Sequence, residues 1–279
     1  MNNVGNSRQP LRNPLPRQSV LFLLIAWLSM FVLTSLAMAG GLEDARRRGK
    51  LLVGVKPDFP PFGYLDASGS IRGIDIEIAR YLAKAVRGDE TEALELVPVT
   101  SGSRIPFLYS DWIDVIVASM TITEDRRKVL EFSKPYFLSG SLLLVPKDSS
   151  VKDTGDLAGK TVAVIEGSIQ EKDIVEVAGQ AKVIRFSHMP EALRAIREKR
   201  VDALCQDDVV VVALARENPD LKTAGKPFDV RPYAIAVKKG DMEFVHWIDA
   251  QLDRMKEDGS YEKIIRTYVG ESESGLFKP

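Results

Sequence analysis

The spacing of apolar positions divides the chain into short strands and amphipathic helices that alternate. Residues 51–55 (LLVGV) form a near-continuous apolar run, the kind buried on both faces of a parallel sheet. A proline-rich turn from Pro57 to Phe62 follows, and a hairpin or turn is expected at 66–69. Over 75–86 the period becomes helical. Ile78, Ala79, Leu82, Ala83 and Val86 share one face, and Asp75 and Glu77 stand in the first turn, the favourable end for acids. A strand at 94–99, a helix at 105–110 and a strand at 115–118 (VIVA) continue the series.

Near Tyr136 the pattern changes. A strand at 142–145 has no helix before the next turn, and a second α/β series begins at 160. It reads as a strand at 161–165, a turn at Gly167-Ser168, a helix at 170–178, a strand at 183–186, a helix at 190–199 with Pro190 near its start, a strand at 201–204 and a helix at 208–216. A strand at 234–237 and amphipathic helices at 241–257 and 260–268 close the chain. Strands joined by helical crossovers predict an α/β fold. The expected architecture is two lobes joined by two extended crossings, at 136–141 and 231–235. The chain leaves the first lobe, builds the second and returns. Such a double crossing suits a hinge, with the ligand cleft between the lobes.

The first 39 residues stand apart from this pattern. Arg8, Arg12 and Arg17 give a basic start without any acid, an apolar stretch runs from Val20 to Leu36, and Ala37-Met38-Ala39 supplies a small-x-small cleavage pattern before Gly40. This predicts a secretory signal peptide at 1–39, cleaved near Ala39-Gly40; a retained membrane anchor is the competing reading. No cysteine near the site suggests a lipid anchor. Beyond residue 39 the chain carries 35 basic and 39 acidic residues, a net charge of −4, with no basic excess for nucleic acid or anionic membrane. Cys205 is the single cysteine, so no internal disulfide is possible, and neither His188 nor His246 is spaced to serve it as a base. No metal cluster, phosphate-cradling glycine loop or Gly-x-Ser-x-Gly elbow is present.

The richest chemistry lies at 114–136 (DVIVASMTITEDRRKVLEFSKPY). Ser119, Thr121 and Thr123 crowd the end of a buried strand. Thr123 with Glu124 and Asp125 looks like a helix cap and an acidic first turn. Arg126 and Arg127 follow, against the helix dipole. Two readings are open from these residues alone: a surface helix with solvated arginines, or a hydroxyl and a guanidinium placed to capture a small carboxylate.

Four segments, GIDIEIARYLAKAV (73–86), ASMTITEDRRKVLEFSKPYF (118–137), VAVIEGS (162–168) and VDALCQDD (201–208), resemble in content and order the type II solute-binding proteins of bacterial ABC transporters, in their polar amino-acid family. The resemblance spans essentially the whole chain after residue 39. It implies a two-lobe periplasmic-binding-protein fold: two parallel-rich sheets flanked by helices, with lobe 1 at 40–137 and 233–279 and lobe 2 at 138–232. It implies a binding protein and no enzyme, without metal or cofactor. The expected partners are an amino acid and an inner-membrane ABC permease with its ATPase, and the receptor is expected to be a periplasmic monomer.

The resemblance also assigns roles. Arg126 grips the ligand α-carboxylate, with Thr121 giving hydroxyl and backbone N–H to the same end and Ser119 giving its carbonyl to the ammonium. Arg127 is expected to face solvent. Ser168 holds the carboxylate from the second lobe, with Ile169 and Gln170 N–H groups beside it; helix capping by Ser168 is the plain alternative. Asp207 takes the ammonium, and Asp208 caps the next helix. Lys56 and Arg104 resemble the cations that meet the side-chain carboxylate in aspartate- and glutamate-binding members, and two cations in one pocket favour an anion. Phe59 packs on the ligand's aliphatic part, while Phe62 and Tyr64 belong to the lobe core. Aspartate or glutamate is therefore the expected ligand. Glutamine or asparagine is the alternative, and a cyclohexadienyl-dehydratase-like enzyme, with Glu166 or Asp58 as acid, the more distant one.

Overall fold

The computed structural model describes residues 40–87 and 93–270, so the expected leader lies outside the described residues. The first described element is helix α1 (Gly41–Arg48), which buries only Leu42 and Ala45 and ends at Gly49 in a left-handed conformation. Two apolar positions in a run of arginines leave little periodic signal, which is why sequence patterning passes over it.

Two groups of parallel strands follow. On one side, β1 (Leu51–Val55) lies between β5 (Leu94–Pro98) and β6 (Val115–Ile116). On the other, β8 (Thr161–Ile165) lies between β9 (Lys182–Phe186) and β10 (Ala203–Asp207). Between the groups run two long antiparallel strands, β7 (Leu130–Pro146) and β11 (Leu221–Lys238). Ala236 of β11 pairs with Ile116 of β6, while residues 141–144 of β7 pair with β10. The expected two sheets are therefore one mixed eight-stranded sheet, in the order β5-β1-β6-β11-β7-β10-β8-β9. The crossings expected at 136–141 and 231–235 lie inside β7 and β11 and are paired to each other, through Leu138–Pro232 and Ser139–Arg231. Each extended crossing satisfies its backbone groups with the other, and this fuses the sheets. A second sheet of β2 (Asp58–Phe59), β3 (Gly63–Leu65) and β4 (Ile71–Arg72) forms around the proline-rich turn, with β3 and β4 making the hairpin expected near 66–69.

Helices cover both groups. Helices α2 (Ile74–Arg87), α8 (Met242–Glu257) and α9 (Ser260–Tyr268) pack together beside β1, so the chain's last helices return to the side where it began. The second side carries α5 (Gln170–Val177), α6 (Met189–Arg197) and α7 (Asp208–Glu217). Where the long strands pass between the groups, Phe62, Phe137 and Tyr233 pack ring against ring, with centroids 4.9 to 6.0 Å apart. All three are fully buried. Each such side chain contributes about 1.5–3 kcal/mol through burial alone, so this aromatic wedge is a stable part of the core beneath the crossing strands.

Several boundaries differ from the sequence reading. The strand expected at 115–118 is regular only over β6, although the Val117 N–H still bonds to the Gly54 carbonyl. The charged helix after Thr123 is a single turn, α4 (Glu124–Arg127), cut short where β7 begins. The strand expected at 201–204 sits two residues later, at Ala203–Asp207, because Gln206 and Asp207 pair with Leu142 and Ser141 of β7. Helix α3 (Arg104–Tyr109) begins one residue early and takes in Arg104. Tyr64 is half-buried and outside the core clusters, since β3 turns its side chain toward the surface.

Candidate functional site

Most residues expected in the site follow or end a strand of the large sheet at its carboxyl end, the place where open α/β sheets bind ligands; Arg126 stands on α4 and Phe59 on β2 of the small sheet. Lys56 follows β1, Ser119 and Thr121 follow β6, Gly167 and Ser168 follow β8, and Asp207 ends β10. Arg104 opens α3 after β5. Parallel pairing within each group aligns these ends, and the long strands set the two groups face to face.

Three cations meet there. Lys56 is 5% exposed, with Nζ 3.6 Å from the centre of the Phe59 ring. Burial, then the neighbouring Arg104 charge, lower its pKa to about 7 against the pull of Asp207, Asp58 and Asp75. Arg104 is 2% exposed and donates from Nη1 to the Ala118 carbonyl at 2.6 Å. Burial and then Arg126 lower its pKa to about 9. Arg126 donates to the Thr121 carbonyl at 2.8 Å and, across to the second side, to the Gly167 carbonyl at 3.0 Å. Thr123 Oγ1 accepts the Arg126 N–H at 3.2 Å, the cap expected from sequence. Arg127 is exposed and lies over the Phe132 ring.

Asp207 faces these cations from the second side. It is buried, which pushes its carboxyl pKa up, and Lys56 is the first influence opposing that rise. Gln170 Nε2 donates to it at 3.0 Å, so Gln170 acts here through its side chain. Asp208 is turned away: its Oδ1 accepts from Ser139 Oγ at 2.6 Å and from the Val209 N–H at 2.8 Å. Ser168 makes no capping bond to α5, and its N–H is taken by the Ile165 carbonyl at 3.0 Å. Phe59 lines a narrow cavity with Lys56, Asp58, Ser101, Ile165 and Met189. Of the residues considered as an acid, Glu166 is exposed, and Asp58 accepts the Met189 N–H at 3.2 Å.

Three buried polar atoms in this region have no hydrogen-bond partner among the described residues: Ser101 Oγ, Arg104 Nε and Ser168 Oγ. An unpaired buried polar atom costs about 1–3 kcal/mol. Such atoms are rare in native cores, so three in one cleft mark hydrogen-bonding capacity suited to a polar ligand. Arg126 and Asp207, on opposite sides, suit the carboxylate and the ammonium of a zwitterion.

Sequence reasoning missed Asp75. It was read as a first-turn acid of α2, yet it is 1% exposed. Its Oδ2 accepts from the Ser119 N–H at 2.8 Å and from Ser119 Oγ at 3.2 Å, and its Oδ1 accepts from the Tyr136 hydroxyl at 2.7 Å. Burial raises its pKa to about 6. Ser119 has a φ of 47°, uncommon for a residue with a side chain, and Asp75 holds it there. The signal lay in the helical stripe: position 75 shares the apolar face of 78, 79, 82 and 86, where an acid needs a buried partner. Tyr233 was missed too, since its role depends on the bridge it forms with Thr121.

These features define a two-sided cleft for a small zwitterion on a type II periplasmic-binding-protein fold. The chain matches the family model of the bacterial extracellular solute-binding proteins, family 3, over residues 51–271, and it belongs to that family. It is 41% identical over 232 residues to the ABC transporter glutamine-binding protein GlnH of Bacillus subtilis, covering 82% of this chain and 85% of the relative. It is 29% identical over 239 residues to the L-cystine-binding protein TcyJ of Escherichia coli K12, covering 85% and 88%. Among solved structures, an ancestral arginine-binding protein bound to glutamine superposes with a TM-score of 0.76 at 40% identity, covering 80% of this chain and 99% of that one. A mutant of ArgBP from T. maritima gives a TM-score of 0.78 at 36% identity, covering 83% and 100%. Like the rest of the family, the protein is an extracytoplasmic solute receptor; among the described residues no helix is long and apolar enough to cross a membrane.

Proposed function

We propose that this protein is the receptor of an amino-acid ABC importer and that its ligand is L-glutamine. The observation that carries the amino-acid reading is the placing of Arg126 and Asp207 on opposite sides of a cleft that holds three unpartnered polar atoms. Arg126, Thr121 and Ser168 take the α-carboxylate, and Asp207 with the Ser119 carbonyl takes the ammonium. Lys56, Arg104 and Phe59 meet the side chain. Glutamine is favoured by the names of relatives at 41% and 40% identity, from Bacillus subtilis and Geobacillus stearothermophilus. Closure brings lobe 1 (40–137 and 233–279) and lobe 2 (138–232) together about β7 and β11. The closed form docks on an inner-membrane permease and its ATPase as a periplasmic monomer, after removal of residues 1–39.

A second reading, aspartate or glutamate, is favoured by one observation: Lys56 and Arg104 are both buried and both held below their ordinary pKa, first by burial and then by a neighbouring cation, Arg104 for Lys56 and Arg126 for Arg104, which an added carboxylate would relieve. Thermal-shift titration separates the two, because a ligand of the folded state alone raises its melting temperature. The chain from Gly40 onward, unfolded and refolded to strip carried ligand, is titrated with glutamine, glutamate, aspartate, arginine and cystine. The largest shift with glutamine supports the first reading, and the largest shift with an acidic amino acid replaces it with the second. A response confined to arginine or cystine, or none at all, rejects both.

A further inference from the structure

Helix α6 begins without a cap of its own. His188, at its N-cap position, makes no side-chain capping bond, and Pro190 occupies the first turn. The first-turn N–H groups of a helix have no partner inside it and are normally met by a neighbouring Ser, Thr, Asp or Asn. Here the acceptor comes from the opposite side of the cleft. Asp58, on β2, accepts the Met189 N–H on Oδ2 at 3.2 Å, from a residue 131 positions away, and His188 Nδ1 lies 3.4 Å from the same oxygen. The Asp58 side chain is 24% exposed and Met189 is 3% exposed, so the bond is sheltered on its inner face. Asp58 and Met189 both line the narrow cavity that holds Lys56 and Phe59, which places the bond at the rim of the candidate cleft.

Two further observations show that the sides approach closely here. A Cβ on Gly167 would lie 2.9 Å from the Gly102 Cα, so backbone meets backbone across the cleft. Lys172 on α5 pairs with Asp125 on α4 at another point of the same boundary. That second bridge is exposed on both partners, and its contribution is small. The Asp58 contact differs because it takes the Met189 N–H, the one first-turn donor of α6 that the His188 carbonyl, which accepts from Glu191 and Ala192, leaves unmet.

We propose that Asp58 is a positioning residue that caps α6 across the cleft, holding the closed form together and slowing ligand release. The proposal rests on the hinge-closure reading given above. With the sides apart, water meets the Met189 N–H. With the sides together, the carboxylate replaces that water at the positive end of the helix dipole.

The test is the rate of L-glutamine release measured by stopped flow, or of L-glutamate if the titration selects it, together with small-angle X-ray scattering of wild type with and without that ligand. Asp58→Ala removes the acceptor and is expected to release ligand about fivefold faster, the equivalent of about 1 kcal/mol. Asp58→Asn keeps an oxygen that caps as well as a carboxylate does and is expected to stay within twofold of wild type. A role in folding alone would lower the melting temperature of the ligand-free protein and leave the release rate unchanged. Wild-type release in Asp58→Ala overturns the latch. Equal acceleration in both variants also overturns it, since the charge beside Lys56 and His188 would then be the cause. If wild type does not compact on binding, the hinge reading itself fails, whatever the variants do.

Discussion

Arg126 and Gly167 stand on opposite sides of the cleft and are joined by a hydrogen bond from Nη2 to the carbonyl oxygen at 3.0 Å. The same guanidinium is held on its own side by the Thr121 carbonyl at 2.8 Å. The fork is thus aimed before any ligand arrives, and Gly167 supplies the turn that carries Ser168. The carboxylate capture proposed for Arg126 and the contact between the sides would then fall to one side chain.

Arg126→Ala is expected to weaken binding of every amino acid ligand by at least about 100-fold, because removing one partner of a buried charge pair costs about 2–5 kcal/mol. Arg126→Lys keeps the charge but loses the planar fork and recovers only part of the affinity. Isothermal titration measures both. Alanine-variant affinity within threefold of wild type would exclude Arg126 from the ligand's head group.

Lys56 links binding to protons. Its pKa of about 7 in the folded protein lies below the ordinary 10.5. Between those values the unfolded chain binds more protons, so the contribution of Lys56 to ligand-free stability rises as pH increases from about 7 toward 10.5. A ligand carbonyl or carboxylate against the ammonium reverses the shift, and binding at pH 7.5 then takes up protons. The expected signature is a binding heat that changes with the buffer's ionisation enthalpy in wild type and loses that dependence in Lys56→Met. An equal dependence in both proteins would place the titrating group elsewhere.

Asp75 carries the opposite sign. Its folded pKa of about 6 lies above the ordinary 3.8, so the native state binds more protons between these values. Its contribution to stability is therefore greatest below about pH 4 and falls as pH rises through 6. Asp75→Asn abolishes this slope but turns an amide NH2 toward either Ser119 or Tyr136, both donors. The expected cost is about 1–3 kcal/mol of stability at pH 7, with weaker ligand binding as Ser119 relaxes. Urea denaturation from pH 4 to 8 reads the slope and the cost together, and a variant as stable as wild type at pH 7 would show the network to be slack.

Gly167→Ala tests the approach of the two backbones. The residue has a φ of 75°, and the added Cβ would lie 2.9 Å from Gly102. The left-handed conformation alone costs about 1 kcal/mol for alanine, and the clash falls on rigid backbone. Affinity is expected to drop at least tenfold, while the ligand-free melting temperature falls only by the roughly 2–4 °C that about 1 kcal/mol of backbone strain explains. An unchanged dissociation constant would mean that the sides do not meet at this point when ligand is bound.

Much of the fold was legible because buried parallel strands and amphipathic helices leave strong periodic signals. Residues 51–55, 161–165 and 260–268 fall where their apolar pattern puts them. The long strands were harder. Residues 221–230 of β11 include Gly225, Pro227 and three charged residues, and they are a strand because β7 pairs with them rather than by propensity. At the site, the residues at strand ends were visible because position along the chain dictates them. Asp75 and Tyr233 were not, since each matters through a partner, Ser119 or Thr121, that only the folded chain brings near. The alternative reading of Ser168, as a helix cap, fails for the same kind of reason: its N–H closes a turn with Ile165, and its hydroxyl is left without a partner.

The pairing of β7 with β11 is continuous at its two ends and interrupted in the middle, with register shifts between Ala224 and Phe228, Phe228 and Arg231, Tyr233 and Ala234, and Ala234 and Ala236. A ladder with rungs missing along its central span yields there first under torque, while the regular ends transmit that torque without yielding. Two separate linkers would let one side wander in several directions. On the hinge-closure reading proposed above, such a ribbon gives way at its two irregular stretches, on either side of the regularly paired Arg231–Tyr233, and favours rotation about one axis. Reaching the bound shape is then a search along a line instead of through a volume.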